Sequence, residues 1–221
     1  MPQWIWKSAS SAALLASLTA CGGGSNGSST GTQYPVNDAI GTFYQTPQTY
    51  TLHADSSGTA YTLVMHLTPG PQTTFLGQQA LTAVLADSIT SNGTVVAAGG
   101  KTVVFLSSPF KEIGGILPGG VYEVDTAQHN LPDLAGAGAF GTLDSQTYFS
   151  DSTLTTQVGT GTRTWALDAV TEQTAKFCID DTDDLGGSQE TEGDCEIIDA
   201  RGNVTGLQIT LTLGAATLIF K

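Results

Sequence analysis

The densest group of residues able to do chemistry lies between Cys178 and Cys195. This segment reads IDDTDDLGGSQETEGD and holds seven carboxylates, with no basic residue before Arg201. Carboxylates at such density repel one another unless water, salt or a cation screens them. Calcium takes six to eight oxygen ligands, and carboxylates supply them. The segment is therefore a candidate cation site.

The Ca²⁺ loop of an EF-hand requires oxygen ligands at positions 1, 3 and 5, glycine at 6 and glutamate at 12. With Asp181 at position 1, Asp183 falls at 3, Gly186 at 6 and Glu192 at 12. Leu185 at position 5 offers no side-chain ligand, and the flanks are strand-like, so the segment is not an EF-hand. Two interpretations remain. We favour a solvated acidic loop, and the alternative is a weak calcium site formed by Asp181, Asp183 and Glu192.

The three histidines, His53, His66 and His129, offer little catalytic chemistry. His53 and His66 lie on adjacent predicted strands, but a zinc site needs further ligands at close spacing, and none is evident. The chain has no G-x-S-x-G, P-loop or H-E-x-x-H motif. The sequence thus predicts no catalytic residue and no cofactor. A catalytic triad or a glycosidase carboxylate pair would have to assemble from distant segments.

The amino terminus has the layout of a secretory signal. Lys7 is the only charged side chain before Cys21, and a short apolar run of small residues and leucines separates the two. That run is shorter than the roughly 20 residues that span a bilayer. We therefore expect an export signal here rather than a transmembrane anchor.

The residues Leu18-Thr19-Ala20-Cys21 resemble the lipobox of bacterial lipoproteins. The resemblance covers only the first 21 residues. It implies that residues 1–20 are a signal peptide and that the Cys21 sulfur takes a diacylglyceryl group. The new amine is then acylated, which implies a palmitate-type anchor, so the membrane partner is reached through lipid. Gly22 stands where relatives held at the inner membrane carry Asp, which favours the outer membrane of the cell envelope.

A flexible tether is predicted after the lipobox, over residues 21–35. Residues 22–33 are almost all Gly, Ser, Thr and Asn, with no apolar side chain. Such a segment behaves as a flexible coil with a root-mean-square reach of roughly 20 Å. The tether would let a folded domain stand away from the membrane surface.

Cys178 and Cys195 remain as an even pair once Cys21 is lipidated. Exported proteins meet an oxidising environment, so a Cys178–Cys195 disulfide is expected. It would close a loop of about 18 residues and add about 3 kcal/mol to stability.

Composition favours an all-β fold. The 221-residue chain is 40% hydrophobic and 12% charged, is rich in Gly and Thr, and carries a net charge of −13. Thr and Val suit strands, and Gly suits tight turns. A strongly acidic surface repels phosphate backbones, which argues against nucleic-acid binding.

The two halves of the chain resemble each other. TYTLHADSSGTAYTL from Thr49 aligns with TWALDAVTEQTAKFC from Thr164, an offset of 115 that also pairs Phe105 with Phe220. The same offset places both cysteines on apolar positions, as expected if they point into a core. We therefore predict two related antiparallel β-sandwich-like units, over residues 36–131 and 132–221. The Pro- and Gly-rich segment 107–120 is predicted to be a loop that covers the first unit.

Two functions are compatible with these features. The first is a non-enzymatic lipid-anchored envelope protein that binds a protein or glycan, or has a structural role. The alternative is a lipid-anchored hydrolase or carbohydrate-active protein. A deep pocket with converging carboxylates or a Ser–His pair would favour the enzyme, and a flat or convex surface would favour binding.

Overall fold

A computed structural model describes residues 31–107, 109–126, 131–185, 188–213 and 216–221, with backbone alone at 188–190, 213 and 216. Cys21, most of the tether and His129 lie outside these residues. No helix within the described ranges is long and apolar enough to cross a membrane.

Antiparallel strands dominate the described chain, together with one helix, α1 (Val36–Gln45). The strands are β1 (Gln33–Tyr34), β2 (Gln48–Ser56), β3 (Thr59–Pro69), β4 (Thr73–Phe75), β5 (Gln78–Ser91), β6 (Thr94–Ser107), β7 (Phe110–Leu117), β8 (Val121–Asp125), β9 (Ala135–Gly136), β10 (Phe140–Phe149), β11 (Gln157–Ala169), β12 (Thr174–Leu185), β13 (Ser188–Asp199), β14 (Val204–Leu213) and β15 (Ala216–Phe220). The all-β expectation is confirmed.

Twelve of the described strands form one up-and-down sheet that closes on itself. Each pairs with the next along the chain from β2 to β15, omitting β4, which pairs only with β5, and β9, which pairs only with β1. The sheet closes where its first strand, β2, meets the end of its last strand, β15. There the His53 N–H donates to the Lys221 carbonyl at 2.9 Å. Lys221 N–H donates to the His53 carbonyl at 3.0 Å. A closed sheet of this many strands is too wide for side chains alone to fill.

Alternation along each strand sends every second side chain into the interior. One interior cluster of buried residues includes Phe105, Leu167 and Phe177. A second includes Leu63 and Phe220. Burial of such side chains stabilises the fold by about 1.5–3 kcal/mol each.

The helix α1 packs against both interior clusters. Its Val36, Ile40 and Phe43 are buried, whereas Asp38 and Thr42 on its other face are exposed. Because one face meets the core and the other meets solvent, α1 covers one end of the closed sheet. No strong local signal in the sequence predicts α1, since the helix is short and no side chain caps its amino terminus.

The prediction of two sandwich-like units is not met by this architecture. β10 pairs with β8 across the proposed boundary at residue 131, so the halves share one continuous sheet. Leu52 faces Leu63 in one hairpin, but Leu167 faces Phe177 in the other, where the offset requires Cys178. Similar strand patterns in the two halves therefore arise from a common inward alternation rather than from two separate cores.

Three local expectations are also corrected. The tether ends earlier than residue 35, because Tyr34 is buried and pairs with Ala135. Most of segment 107–120 is the strand β7, since Phe110–Leu117 pairs with β6 and β8. The acidic loop is instead a hairpin, because β12 and β13 continue almost to its tip.

The expected disulfide is present between Cys178 and Cys195, which are direct partners on β12 and β13. Both cysteines are buried, but their side chains do not point into the interior of the closed sheet, where they were expected. Cys178 alternates with Phe177 and Ile179, which pack inside, so the disulfide lies on the outer face of the sheet.

Candidate functional site

The interior of the closed sheet has an acidic half and an apolar half. Charged and polar side chains point inward from β5 to β8 and from β10 to β13. Apolar side chains point inward from β14, β15, β2 and β3, and from Ile89 of β5. The inward polar set is Asp87, Lys101, Glu112, Glu123, Asp125, Asp144, Gln146, Tyr148, Arg163, Asp181, Asp183, Glu192, Asp194 and Glu196.

The acidic segment recognised in the sequence supplies four of these side chains, and Glu196 follows it directly after Cys195. Asp181 and Asp183 point inward from β12, and Glu192, Asp194 and Glu196 point inward from β13. Their spacing of two residues is the strand period, so each group lies on one face. The same alternation places Asp180 on the exposed outer face.

Arg163 on β11 lies at the centre of an ion-pair network. Its guanidinium contacts Asp144 through two nitrogens, at 2.7 and 2.6 Å, and Glu112 at 2.7 Å. Asp125 lies 3.1 Å from the same group and Glu123 3.9 Å away. Arg163 is only 2% exposed. Its charge is thus already matched by carboxylates of the surrounding strands.

A second cluster of polar side chains adjoins this network on the same wall of the interior. Gln146 donates to Glu123 at 2.7 Å, and the Tyr148 hydroxyl donates to Asp183 at 2.5 Å. Gly161 makes the arrangement possible, because a Cβ there would lie 2.2 Å from the nearer Asp183 oxygen. Burial, followed by the nearby Glu123 carboxylate, raises the pKa of Tyr148, so its hydroxyl stays protonated and can donate.

The carboxylates of β13 lack such partners. One oxygen of Asp194, Oδ1, and one of Glu196, Oε2, are buried with no hydrogen-bond partner, and so is Oδ1 of Asp181 on β12. Glu196 is only 5% exposed. A buried polar atom without a partner costs about 1–3 kcal/mol, and more when charged. The described protein alone therefore leaves these groups unsatisfied.

Enclosure among the strands raises the pKa of these carboxyls. Desolvation raises the pKa of Asp194 to about 6, of Asp181 to about 7 and of Glu192 to about 8. Burial and then the neighbouring Asp194 charge raise the pKa of Glu196 well above its usual value. Glu192 lines the cavity and keeps solvent-accessible surface.

The cavity has a volume of about 360 Å³ and runs from α1 toward the β7–β8 turn. Eight carboxylates and two cationic side chains, Lys101 and Arg163, line it. Its remaining wall is mainly apolar, and includes Met65, Ile89 and Ile209. Pockets of 300–1,000 Å³ with apolar walls and a few convergent polar groups are typical of small-molecule sites.

The calcium candidates reach this cavity together. Asp181 and Glu192 are direct cross-strand partners, and Asp183 follows on the same face of β12. Among the residues that the structure describes, no three His, Cys, Asp or Glu side chains are arranged to hold a metal ion. Weak calcium binding by this set stays the untested, less favoured alternative.

His53 and His66 do not come together. They lie on the exposed face of the sheet, where His53 contacts Thr62 at 3.2 Å and His66 contacts Thr49 at 3.0 Å. Neither lines the cavity. The described histidines therefore form no zinc site and no catalytic pair with one another.

Sequence reasoning missed the contributions of β5 to β11. Glu112, Glu123, Asp144 and Arg163 stand at positions where strand alternation requires an inward side chain. A charge at a core-facing strand position was the available signal. This signal does not identify Glu112, because the sequence predicts a loop where the structure has the strand β7.

Comparison of the chain with protein family models, with curated proteins and with solved structures found no match. The cavity and the amino-terminal motif are therefore the two features that point to a function.

Proposed function

We propose that this chain is a non-enzymatic, lipid-anchored bacterial envelope protein that binds a small molecule inside its closed sheet. The LTAC motif ending at Cys21 supports export and anchoring, with the outer membrane as the favoured location. The cavity supports binding, and the membrane attachment would hold the binding domain within the envelope.

The observation that carries the proposal is the cavity of about 360 Å³ between an acidic and an apolar wall. A core selected for stability alone would fill this volume, because empty space and unpartnered polar atoms both destabilise a fold. Glu196 and Asp194 cost stability where they stand. A bound ligand would satisfy them and fill the space.

A cavity-filling substitution tests the proposal. Binding of the neutral fluorophore N-phenyl-1-naphthylamine is measured on the full chain and on its Ile209→Trp variant. Ile209 lines the cavity, so the indole should occupy the ligand volume and abolish the fluorescence gain. Ile219→Trp is the matched control, because Ile219 is 45% exposed on the adjacent β15. Equal probe binding by all three proteins would refute an interior site.

The hydrolase alternative gains one supporting observation, since carboxylates do converge in a deep pocket. Asp181 and Glu192 face each other on neighbouring strands. The pKa of Asp181 is raised to about 7 and that of Glu192 to about 8. A glycosidase needs such a pair, with one carboxyl protonated. Release of nitrophenol from a panel of nitrophenyl glycosides measures it. Turnover that disappears in Glu192→Gln would replace the binding proposal with the enzymatic one.

A further inference from the structure

We infer that the ligand of this cavity is a small amphipathic amine, with its ammonium group at Asp194 and Glu196 and its apolar body against β14. This inference depends on the proposed binding function and specifies the chemical class of the ligand. Three features of the cavity support it: its charge, its unpartnered oxygens and the alignment of its two walls.

The charge of the cavity favours a cation. Arg163 is matched by Asp144 and Glu112 within 2.7 Å, and Lys101 lies 3.6 Å from Glu112. Among the described residues, no cationic side chain lies within ion-pairing distance of the five inward carboxylates of β12 and β13. An anionic ligand would add to the repulsion, whereas a cation would relieve it.

The oxygens without partners favour a hydrogen-bond donor. Glu196 is nine-tenths buried, lines the cavity and has no partner at Oε2, and Asp194 on the same face of β13 has none at Oδ1. An ammonium group carries three donors and a positive charge. It would satisfy both oxygens with charge-assisted hydrogen bonds, which are about twice as strong as neutral ones.

The register of β13 and β14 aligns the two walls. Asp194 is the cross-strand partner of Ile209, and Glu196 is the partner of Leu207. Side chains of directly opposed residues lie about 5 Å apart at Cβ. A ligand whose nitrogen binds the β13 carboxylates would therefore place its carbon chain against the β14 aliphatics.

The apolar wall argues against a hydrated metal ion as the principal ligand. Ile209, Leu211 and Met65 offer no oxygen to an ion or to its water shell. Calcium prefers six to eight oxygens, and the described residues hold no metal-binding group of three. An alkyl or aryl amine uses both walls, whereas a metal ion uses one.

The test compares octylamine, octanol and octanoate, which share a chain and differ in head group. Calorimetric titration uses the full chain carrying Cys21→Ser, which would have no acyl group and would need no detergent. We expect octylamine to bind, octanol to bind more weakly and octanoate not to bind. Glu196→Gln should weaken octylamine by about ten- to a hundredfold, the loss of one charged hydrogen bond, and leave octanol unchanged.

Asp180→Asn is the matched control, since it removes a carboxylate from the outer face of the same hairpin and should leave all affinities unchanged. Glu196→Gln should also raise the melting temperature of the ligand-free protein, which shows that the variant folds. A lost affinity with unchanged or raised stability distinguishes ligand contact from a structural role.

The outcomes separate this inference from the proposed function. Equal affinity for the three probes, or octylamine binding unaffected by both Glu196→Gln and Asp194→Asn, would overturn the amine assignment. If Ile209→Trp still abolished binding, the interior site would stand. No binding of any probe would contradict both. Equal binding of spermidine, which lacks an apolar body, would overturn the amphipathic part.

Discussion

Arg163 and Asp144 face each other across β11 and β10 and form a two-pronged ion pair inside the closed sheet. The Arg163 Nε lies 2.7 Å from Asp144 Oδ1, and its Nη2 lies 2.6 Å from Oδ2. Planar guanidinium and carboxylate groups match in this geometry. Arg163 also contacts three further carboxylates of the acidic wall, so its removal leaves several carboxylates without their counter-ion.

Arg163→Met should therefore destabilise the protein by about 3–5 kcal/mol, because breaking a buried pair leaves uncompensated charge. Urea denaturation measures the change. Lys176→Met is the control, since Lys176 lies 3.9 Å from an exposed Asp168 and such surface pairs contribute about 0–1 kcal/mol. Equal effects of the two substitutions would contradict a structural role for the network.

Gly161→Ala should also destabilise the fold, by about 1–3 kcal/mol. The new methyl would lie 2.2 Å from Asp183 Oδ1 and 2.5 Å from Gln146 Oε1, so both side chains must move. Thermal unfolding with near-ultraviolet circular dichroism of Tyr148 reports the displacement. In Gly206→Ala the methyl finds its nearest atom at 3.5 Å, so that variant should keep wild-type stability.

Stability of the ligand-free protein should fall as pH rises from about 5 to 8. The pKa of Asp194 is raised to about 6, of Asp181 to about 7 and of Glu192 to about 8, mainly by desolvation. In the unfolded chain these carboxyls titrate near 4. The folded state therefore binds more protons over this interval, and raising the pH disfavours it. Melting temperatures across the interval measure the slope.

Combined Asp194→Asn and Glu192→Gln substitution should flatten that slope, because two of the titrating groups are removed. The charged neighbours Asp87 and Lys101 remain in place. Asp151 and Asp199 act in the opposite sense, since hydrogen bonds lower the pKa of each, but their contribution is lost only below about pH 4. A melting temperature that rises between pH 5 and 8 would contradict the assignment.

Cys21→Ser should release the protein from the membrane fraction or leave the signal peptide uncleaved. A thioether to diacylglycerol cannot form on serine, and no other anchor is predicted from the sequence. Fractionation and gel mobility compare the variant with the wild type. Identical behaviour of the two would show that the lipobox interpretation is wrong.

Calcium should produce no specific stabilisation. At matched ionic strength, calcium chloride at low millimolar concentration and sodium chloride should give the same melting temperature. Asp183 already accepts a hydrogen bond from Tyr148, and Glu192 has a pKa raised to about 8, so neither is poised as a ligand. A specific shift would show a site instead; at one hundred times Kd it amounts to about 2.7 kcal/mol. Its loss in Asp183→Asn would assign it to this hairpin.

Local sequence was sufficient for much of the secondary structure. Alternating Thr, Val and aromatic residues are typical of strands, and Ser91-Asn92-Gly93, a sequence typical of tight turns, joins β5 to β6. The disulfide partners followed from the number of cysteines and from the export that the amino terminus predicts. These features depend on residues close in sequence or on simple counting.

The carboxylates Asp181, Asp183 and Glu192 were also identified from their density and spacing. Their placement in a cavity inside the sheet was not, because alternation assigns side chains to two faces without saying which face becomes the interior. Cys178 and Asp181 lie on opposite faces of β12, and only the fold decides that the Asp181 face is the inner one.

Only the tertiary structure decided that most of the described strands form one closed sheet with a cavity inside it. Its closure depends on backbone hydrogen bonds between His53 and Lys221, which are 168 residues apart, and on pairing of β8 with β10 across the apparent boundary. Such pairing is set by the packing of the whole chain, so no local window contains it. Arg163 meets Asp144 within one hairpin, but its ion pair with Glu112 joins β11 to β7, which are not neighbours in the sheet. Charges scattered over the sequence thus meet in one interior cluster.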